Sequence, residues 1–189
     1  MINKPLVSVI MSVYKEPEEY IRKAIESILN QTFENFEFLI ALDNPENQVA
    51  MQVIKEYAEK DERIRFYINE KNMGLPRSLN FVISKSLGSF IFRMDADDIS
   101  LPHRLEIQVD YLKNSDVGIL GSWGYKMNEK DENYGVFKVP TDEECIRIYL
   151  ESGFTPMIHP SIAVRREVFQ ITKGYRNFQY VEDLSLIHI

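Results

Sequence analysis

Apolar residues recur along this chain in two alternating rhythms. Leu6 to Val13 is an almost unbroken apolar run, the pattern of a strand buried on both faces of a parallel sheet. Pro17 follows where a first helical turn tolerates proline, and Ile21, Ala24, Ile25, Ile28 and Leu29 then fall on one helical face. Phe36 to Leu42 repeats the strand pattern and ends at Asp43. Asn44-Pro45 predicts the start of a second helix with Val49, Val53, Tyr57 and Ala58 on its inner face. Ile64 to Ile68 alternates as a third strand, and a polar turn from Asn69 to Gly74 leads into a helix carrying Leu75, Leu79, Val82 and Ile83. Gly88 is expected to stop that helix. A fourth strand, Ser89 to Asp95, and a helix with Leu101, Leu105, Val109 and Leu112 complete the series.

Strand and helix in strict alternation predict an α/β fold, a Rossmann-like, mostly parallel sheet flanked by helices. Past Asp116 the rhythm breaks. Val117 to Gly121 reads as a strand, Met127 to Tyr134 as a charged loop, Thr141 to Leu150 as a helix capped by Thr141, and Ser161 to Val164 as a short strand. Residues 1–189 therefore read as a single domain with a ligand-binding half, 1–115, and a more specialised half, 116–189. In such sheets ligands bind beyond the carboxyl ends of the strands, which places Val13, Asp43 and Asp95 to Asp98 along one edge.

Composition narrows the partners. A formal net charge of −7 over 189 residues speaks against a nucleic-acid surface, which needs a basic footprint, but not against a nucleotide held by a few local donors. The single Cys145 has no partner for an internal disulfide, and no apolar run approaches the roughly 18 residues of a membrane span. The N-terminus enters a strand directly, without the pattern of a signal peptide, so the chain reads as cytoplasmic.

The densest chemistry lies in Arg93-Met94-Asp95-Ala96-Asp97-Asp98. Three carboxylates in four positions repel one another, and a cation would offset the cost. In extended backbone Asp95 and Asp97 point the same way, since side chains alternate with a period of two. Two hard oxygen donors on one side suit Mg²⁺ or Mn²⁺. The same residues would also serve as a turn and a helix cap, and a bare Asp-x-Asp does not separate the two readings.

An ordered set of motifs does. Val7 to Tyr14, Gln31 to Glu37, Asn72-x-Gly74-Leu75 with Asn80 and Gly88, Asp95-Ala96-Asp97-Asp98 with Leu101-Pro102-x-Arg104-Leu105, His159-Pro160-Ser161 and Glu182-Asp183 together resemble the family 2 inverting glycosyltransferases of bacterial polysaccharide and glycolipid synthesis. The resemblance implies the GT-A fold and metal-dependent transfer of a sugar from a nucleotide-diphospho-sugar, UDP-linked by expectation, to a saccharide or lipid-linked acceptor. It implies that Ser12 and Tyr14 line the uracil and ribose pocket and that Asp43 accepts from the uracil N3–H. It further implies that Asp95 holds the ribose and the metal's shell, that Asp97 ligates Mn²⁺ or Mg²⁺, and that Asp183 is the general base. Asp98 is read as a turn or supporting residue, and Arg93 as an ion-pair partner of Asp95. The family has two adjacent acids where this chain has Leu42-Asp43-Asn44, so only one is kept. Family members continue well past the Glu-Asp motif, so the resemblance also implies an acceptor half incomplete at its C-terminus. It implies peripheral contact with the inner face of a membrane where the acceptor is lipid-linked.

Lesser candidates stay open. His159 reads equally as structural or as a group near the diphosphate, Arg165-Arg166 as phosphate-facing or solvent-facing, and Trp123 as core ahead of a sugar-stacking platform. Two other functions compete. One is a nucleotide-sugar-binding fragment without catalysis. The other is a phosphatase of the haloacid dehalogenase type, which is disfavoured because its Asp-x-Asp stands near the N-terminus and this one lies mid-chain.

Overall fold

A computed structural model describes residues 4–176. The first strand, β1 (Val7–Val13), is the centre of a six-stranded sheet. It pairs in parallel with β2 (Phe36–Leu42) on one side and β4 (Phe90–Asp95) on the other, and β2 pairs in parallel with β3 (Ile64–Ile68). All seven residues of β2 are buried, and all but Glu37 are apolar. The order β3-β2-β1-β4 reverses direction between β1 and β4, and the crevice beyond their carboxyl ends is where such sheets take ligands. The sheet is completed by β8 (Ala163–Arg165), antiparallel to β4, and by β5 (Ile119–Leu120), antiparallel to β8.

Side chains alternating across the strands feed two cores. Val9, Met11, Phe38, Ile40, Phe92 and Met94 face α1 (Glu18–Leu29), α2 (Gln48–Lys60) and α4 (Arg104–Lys113). Ile10, Leu39, Ala41 and Ile91 face α3 (Leu75–Lys85) and α6 (Arg166–Thr172). The expected mostly parallel α/β sheet flanked by helices is the one found.

Several boundaries differ from expectation, each for a local reason. Helix α2 is capped by Asn47, whose side chain accepts from Ala50 N at 3.0 Å, while Asn44 closes a turn onto Glu46 N at 3.2 Å instead of starting the helix. Helix α3 ends at Lys85 with Ser86 as its cap. Gly88 does not stop it; a Cβ there would lie 2.6 Å from Ser8 N and from Val7 C, so glycine is required by the close approach to β1. The expected charged loop at 127–134 is the turn of a hairpin formed by β6 (Gly124–Met127) and β7 (Asn133–Phe137). Helix α5 (Glu143–Glu151) is capped by Asp142, which accepts from Cys145 N at 2.8 Å, in place of Thr141. His159–Ser161 is a 3₁₀ turn, so the strand starts two residues later than the apolar run. Among the described residues no helix is long and apolar enough to cross a membrane.

Candidate active site

Strand β4 delivers Asp95 at its last position, opposite Ser12 of β1 in the register. The backbone does not stay extended beyond it. Ala96 and Asp97 form a turn in which Asp98 N reaches Asp95 O at 3.4 Å. The alternation argument for Asp95 and Asp97 therefore fails in its premise, yet the turn gathers the carboxylates more completely: Asp95, Asp97 and Asp98 each offer an oxygen, and the three lie within 4.8 Å of one another. Asp98 belongs to this cluster instead of standing behind it.

The loop that follows is tied down by the C-terminal end of α1. Gln31 is buried; its Nε2 donates to Ser27 O at 2.9 Å and Leu101 O at 2.8 Å, and its Oε1 accepts from Leu105 N at 3.0 Å. Ser27 Oγ accepts from Ser100 N at 3.0 Å. Arg104, half-buried at the start of α4, donates to the carbonyl of Arg93 at 2.8 Å and lies close enough to Asp98 to interact with its charge.

Crowding governs the acids. Burial and the charges of Asp95 and Asp97 push the Asp98 carboxyl up to about 6, and burial followed by Asp95 raises Asp97 as well. Hard carboxylate oxygens that resist ionising beside one another are the donor set a small divalent cation satisfies, so the residues present fit Mg²⁺ or Mn²⁺. Behind them Arg93 is 2% exposed, and its Nη2 forms an ion pair with Asp95 Oδ1. Its Nε and Nη1 are buried with no hydrogen-bond partner among the described residues. Burial, then the charge of Arg93, holds the His159 imidazole far below its ordinary range, and its Nε2 lies 3.1 Å from the Tyr175 hydroxyl.

Asp43 sits at the end of β2, 3% exposed. Its Oδ1 accepts from Asn69 Nδ2 at 2.7 Å and Met73 N at 2.8 Å, and its Oδ2 accepts from Gly74 N at 2.9 Å. Asn69 also donates to Ser78 Oγ at 2.8 Å. The carboxylate thus fastens the loop between β3 and α3 before any ligand arrives. Tyr14, 38% exposed, lies past the end of β1, and its carbonyl accepts from Asn47 Nδ2 at 3.3 Å. Ser12, Tyr14, Asp43 and the acidic trio therefore share the carboxyl edge of β1, β2 and β4. Glu182 and Asp183 lie outside the described residues.

Two lesser expectations resolve. Arg165 donates to Val117 O at 2.9 Å and Ser115 O at 2.6 Å, and Arg166 to Gly88 O at 2.5 Å, so both guanidiniums are engaged in fastening loops. Trp123 is 47% exposed, outside the core, with its Nε1 donating to Val139 O at 2.8 Å. Sequence reasoning gave the buried Gln31 and Asn69 no site role. Arg93, read from the sequence as an ion-pair partner of Asp95, is one.

The fold and this arrangement can be set against known proteins. The family described as "Glycosyl transferase family 2" matches residues 8–171. An uncharacterized glycosyltransferase of Methanocaldococcus jannaschii, MJ1057, is 42% identical over 175 residues, covering 91% of this chain and 60% of its own. Staphylococcus aureus TarS 1–349, solved in complex with UDP, superposes with a TM-score of 0.75 at 20% identity, over 94% of this chain and 52% of its own. The mannosyltransferase PcManGT of Pyrobaculum calidifontis, solved with GDP-Man and Mn²⁺, gives 0.72 at 17% identity, over 97% of this chain and 51% of its own. The chain spans about half the length of those two solved structures and 60% of the archaeal relative.

Proposed function

The chain belongs to glycosyl transferase family 2, and on that premise we propose that it transfers a sugar, with inversion, from a UDP-linked donor to a saccharide or lipid-linked acceptor, with Mn²⁺ or Mg²⁺ bound. The observation that carries the reading is the trio of Asp95, Asp97 and Asp98, whose oxygens converge within 4.8 Å at the switch point of the sheet. Residues 1–115 form the donor half and 116–189 the acceptor half. A lipid-linked acceptor puts the work at the cytoplasmic face of a membrane.

In this reading Tyr14 and Ser12 bound the nucleoside, and the remaining lone pair of Asp43 Oδ2 accepts the uracil N3–H. Asp97 and Asp95 hold the cation, with Asp98 completing the set. The bound cation supplies neutralisation of charge on the leaving diphosphate. Asp183 takes the proton of the acceptor hydroxyl as that oxygen bonds to the anomeric carbon. The bond from that carbon to the diphosphate breaks on the opposite face, and the nucleoside diphosphate leaves.

Thermal unfolding with UDP, with and without Mn²⁺, tests the donor site. At about a hundred times its dissociation constant UDP adds roughly 2.7 kcal/mol, a Tm rise of about 5 to 11 °C for a domain of this size. The rise should need Mn²⁺ and vanish in Asp97→Ala. No rise with UDP and Mn²⁺ sinks the UDP-sugar reading; binding without turnover favours the non-catalytic fragment.

A further inference from the structure

The acidic trio is backed by two guanidiniums, Arg93 buried and Arg104 half-buried. Arg93 pairs through Nη2 with Asp95, and Arg104 lies behind Asp98. Arg93 is the unusual member. It is 2% exposed, two of its three nitrogens have no partner, and Asp95 is the one carboxylate it touches among the described residues. A buried guanidinium with one anionic partner depends on that partner, because losing it leaves an unpaired charge out of water.

We propose that Arg93 is a positioning residue that sets the order in which the donor site fills: it holds Asp95 in place as an ion pair and repels a bare divalent cation, so that the cation binds firmly only together with the donor's diphosphate. This rests on the reading of the trio as the metal and donor site. Two positive side chains behind three carboxylates leave the cluster with little net attraction for a lone cation. Drawing Asp95 toward that cation also weakens the only ion pair Arg93 has among the described residues. A diphosphate reverses the balance, since its negative charge offsets both the cation and the guanidinium behind it. Without the ligand, Arg93 serves as the internal counter-ion that lets three acids share one turn.

The test is Mn²⁺ binding to the whole chain, followed by electron paramagnetic resonance of free Mn²⁺, with and without saturating UDP. Wild type should bind Mn²⁺ at least tenfold more tightly with UDP than without. Arg93→Met should bind bare Mn²⁺ roughly tenfold more tightly than wild type, the scale expected from removing a unit charge a few ångströms from a partly buried ion. The benefit from UDP should shrink correspondingly. Arg93→Lys, which keeps the charge, should stay near wild type. Unchanged or weaker bare Mn²⁺ binding in a folded Arg93→Met overturns the proposal. Should that variant fail to fold, Arg93→Gln takes its place, and equal wild-type affinity for Mn²⁺ with and without UDP overturns it independently. Failure of UDP itself to bind wild type in the presence of Mn²⁺, alongside tighter bare Mn²⁺ binding in Arg93→Met, would condemn the donor-site reading instead.

Discussion

Gly74 donates its backbone N–H to Asp43 Oδ2 at 2.9 Å, joining the end of β2 to the first turn of α3. Gly74 has φ +82°, a conformation that glycine adopts without penalty, and the same carboxylate also holds Met73 N and Asn69 Nδ2. Asp43→Asn preserves shape but turns one acceptor into a donor aimed at other donors. An unsatisfied buried group costs about 1–3 kcal/mol, so the Tm should fall by about 2 to 12 °C. The loop should also lose hydrogen-exchange protection at Met73 and Gly74. A variant that melts like wild type would show that these bonds add nothing to folding.

Gly88 offers a test of packing away from the site. A methyl group there meets main-chain atoms of Val7 and Ser8 at 2.6 Å, and backbone in a central strand has nowhere to move. Gly88 N also donates to Ser8 Oγ at 2.8 Å, and Ser8 Oγ in turn donates to the buried Glu37 at 2.6 Å, so displacement would strain a polar network. Gly88→Ala should cost more than the usual 1–3 kcal/mol of overpacking, by urea unfolding. Gly135→Ala, in open space on the hairpin, should change stability far less.

These two positions show what the sequence could and could not reveal. The strands β1, β2 and β4 were legible because burial on both faces forces mostly apolar runs, broken only by single polar residues such as Ser8, Glu37 and Arg93. The acidic cluster was legible in composition but not in geometry. Period-two alternation holds only inside a strand, and β4 ends at Asp95. Asp43 was legible as a strand-end acid, but its partners at 69, 73 and 74 are set by how β3 and α3 fold back. No local spacing encodes that. The β6–β7 hairpin was missed because its strands are short, most of their residues are exposed, and a charged turn separates them. The dependence of Arg93 on Asp95 lies in burial, which composition does not report.

Asp98 should give the protein a distinctive response to pH. Its carboxyl is raised to about 6 by burial and by Asp95 and Asp97, against an ordinary value near 4 in the unfolded chain. Between those values the folded state keeps a proton that the unfolded state has released, so stability falls as pH rises. The contribution is fully present below about pH 4 and gone once the pH passes about 6. Because other carboxylates titrate in the same range, the measurement is a difference. Asp98→Asn should be more stable than wild type at pH 7, by on the order of 1–3 kcal/mol, and the gap should close toward pH 4. A gap that stays constant with pH would exclude a raised Asp98. Bound Mn²⁺ should reverse the slope for wild type, since the cation needs the ionised form.

Asn80 links helix α3 to the chain beyond α6 through a reciprocal pair of bonds: its Nδ2 donates to Tyr175 O at 2.8 Å, and its Oδ1 accepts from Tyr175 N at 2.8 Å. Tyr175, 4% exposed, packs edge-on against His159, whose Nε2 its hydroxyl approaches at 3.1 Å. Asn80 thereby sets where the imidazole beside Arg93 sits, although it touches neither. Asn80→Asp keeps the acceptor but places an oxygen, anionic at neutral pH, against the Tyr175 carbonyl. It should destabilise by about 1–3 kcal/mol at pH 7 and recover part of that near pH 4, where a protonated carboxyl can donate again. Asn80→Ala should lose both bonds at every pH, and a pH-dependent recovery confined to the Asp variant would identify the reciprocal pair as the cause. If both variants melt alike across the range, the clamp has no role in holding Tyr175 against His159.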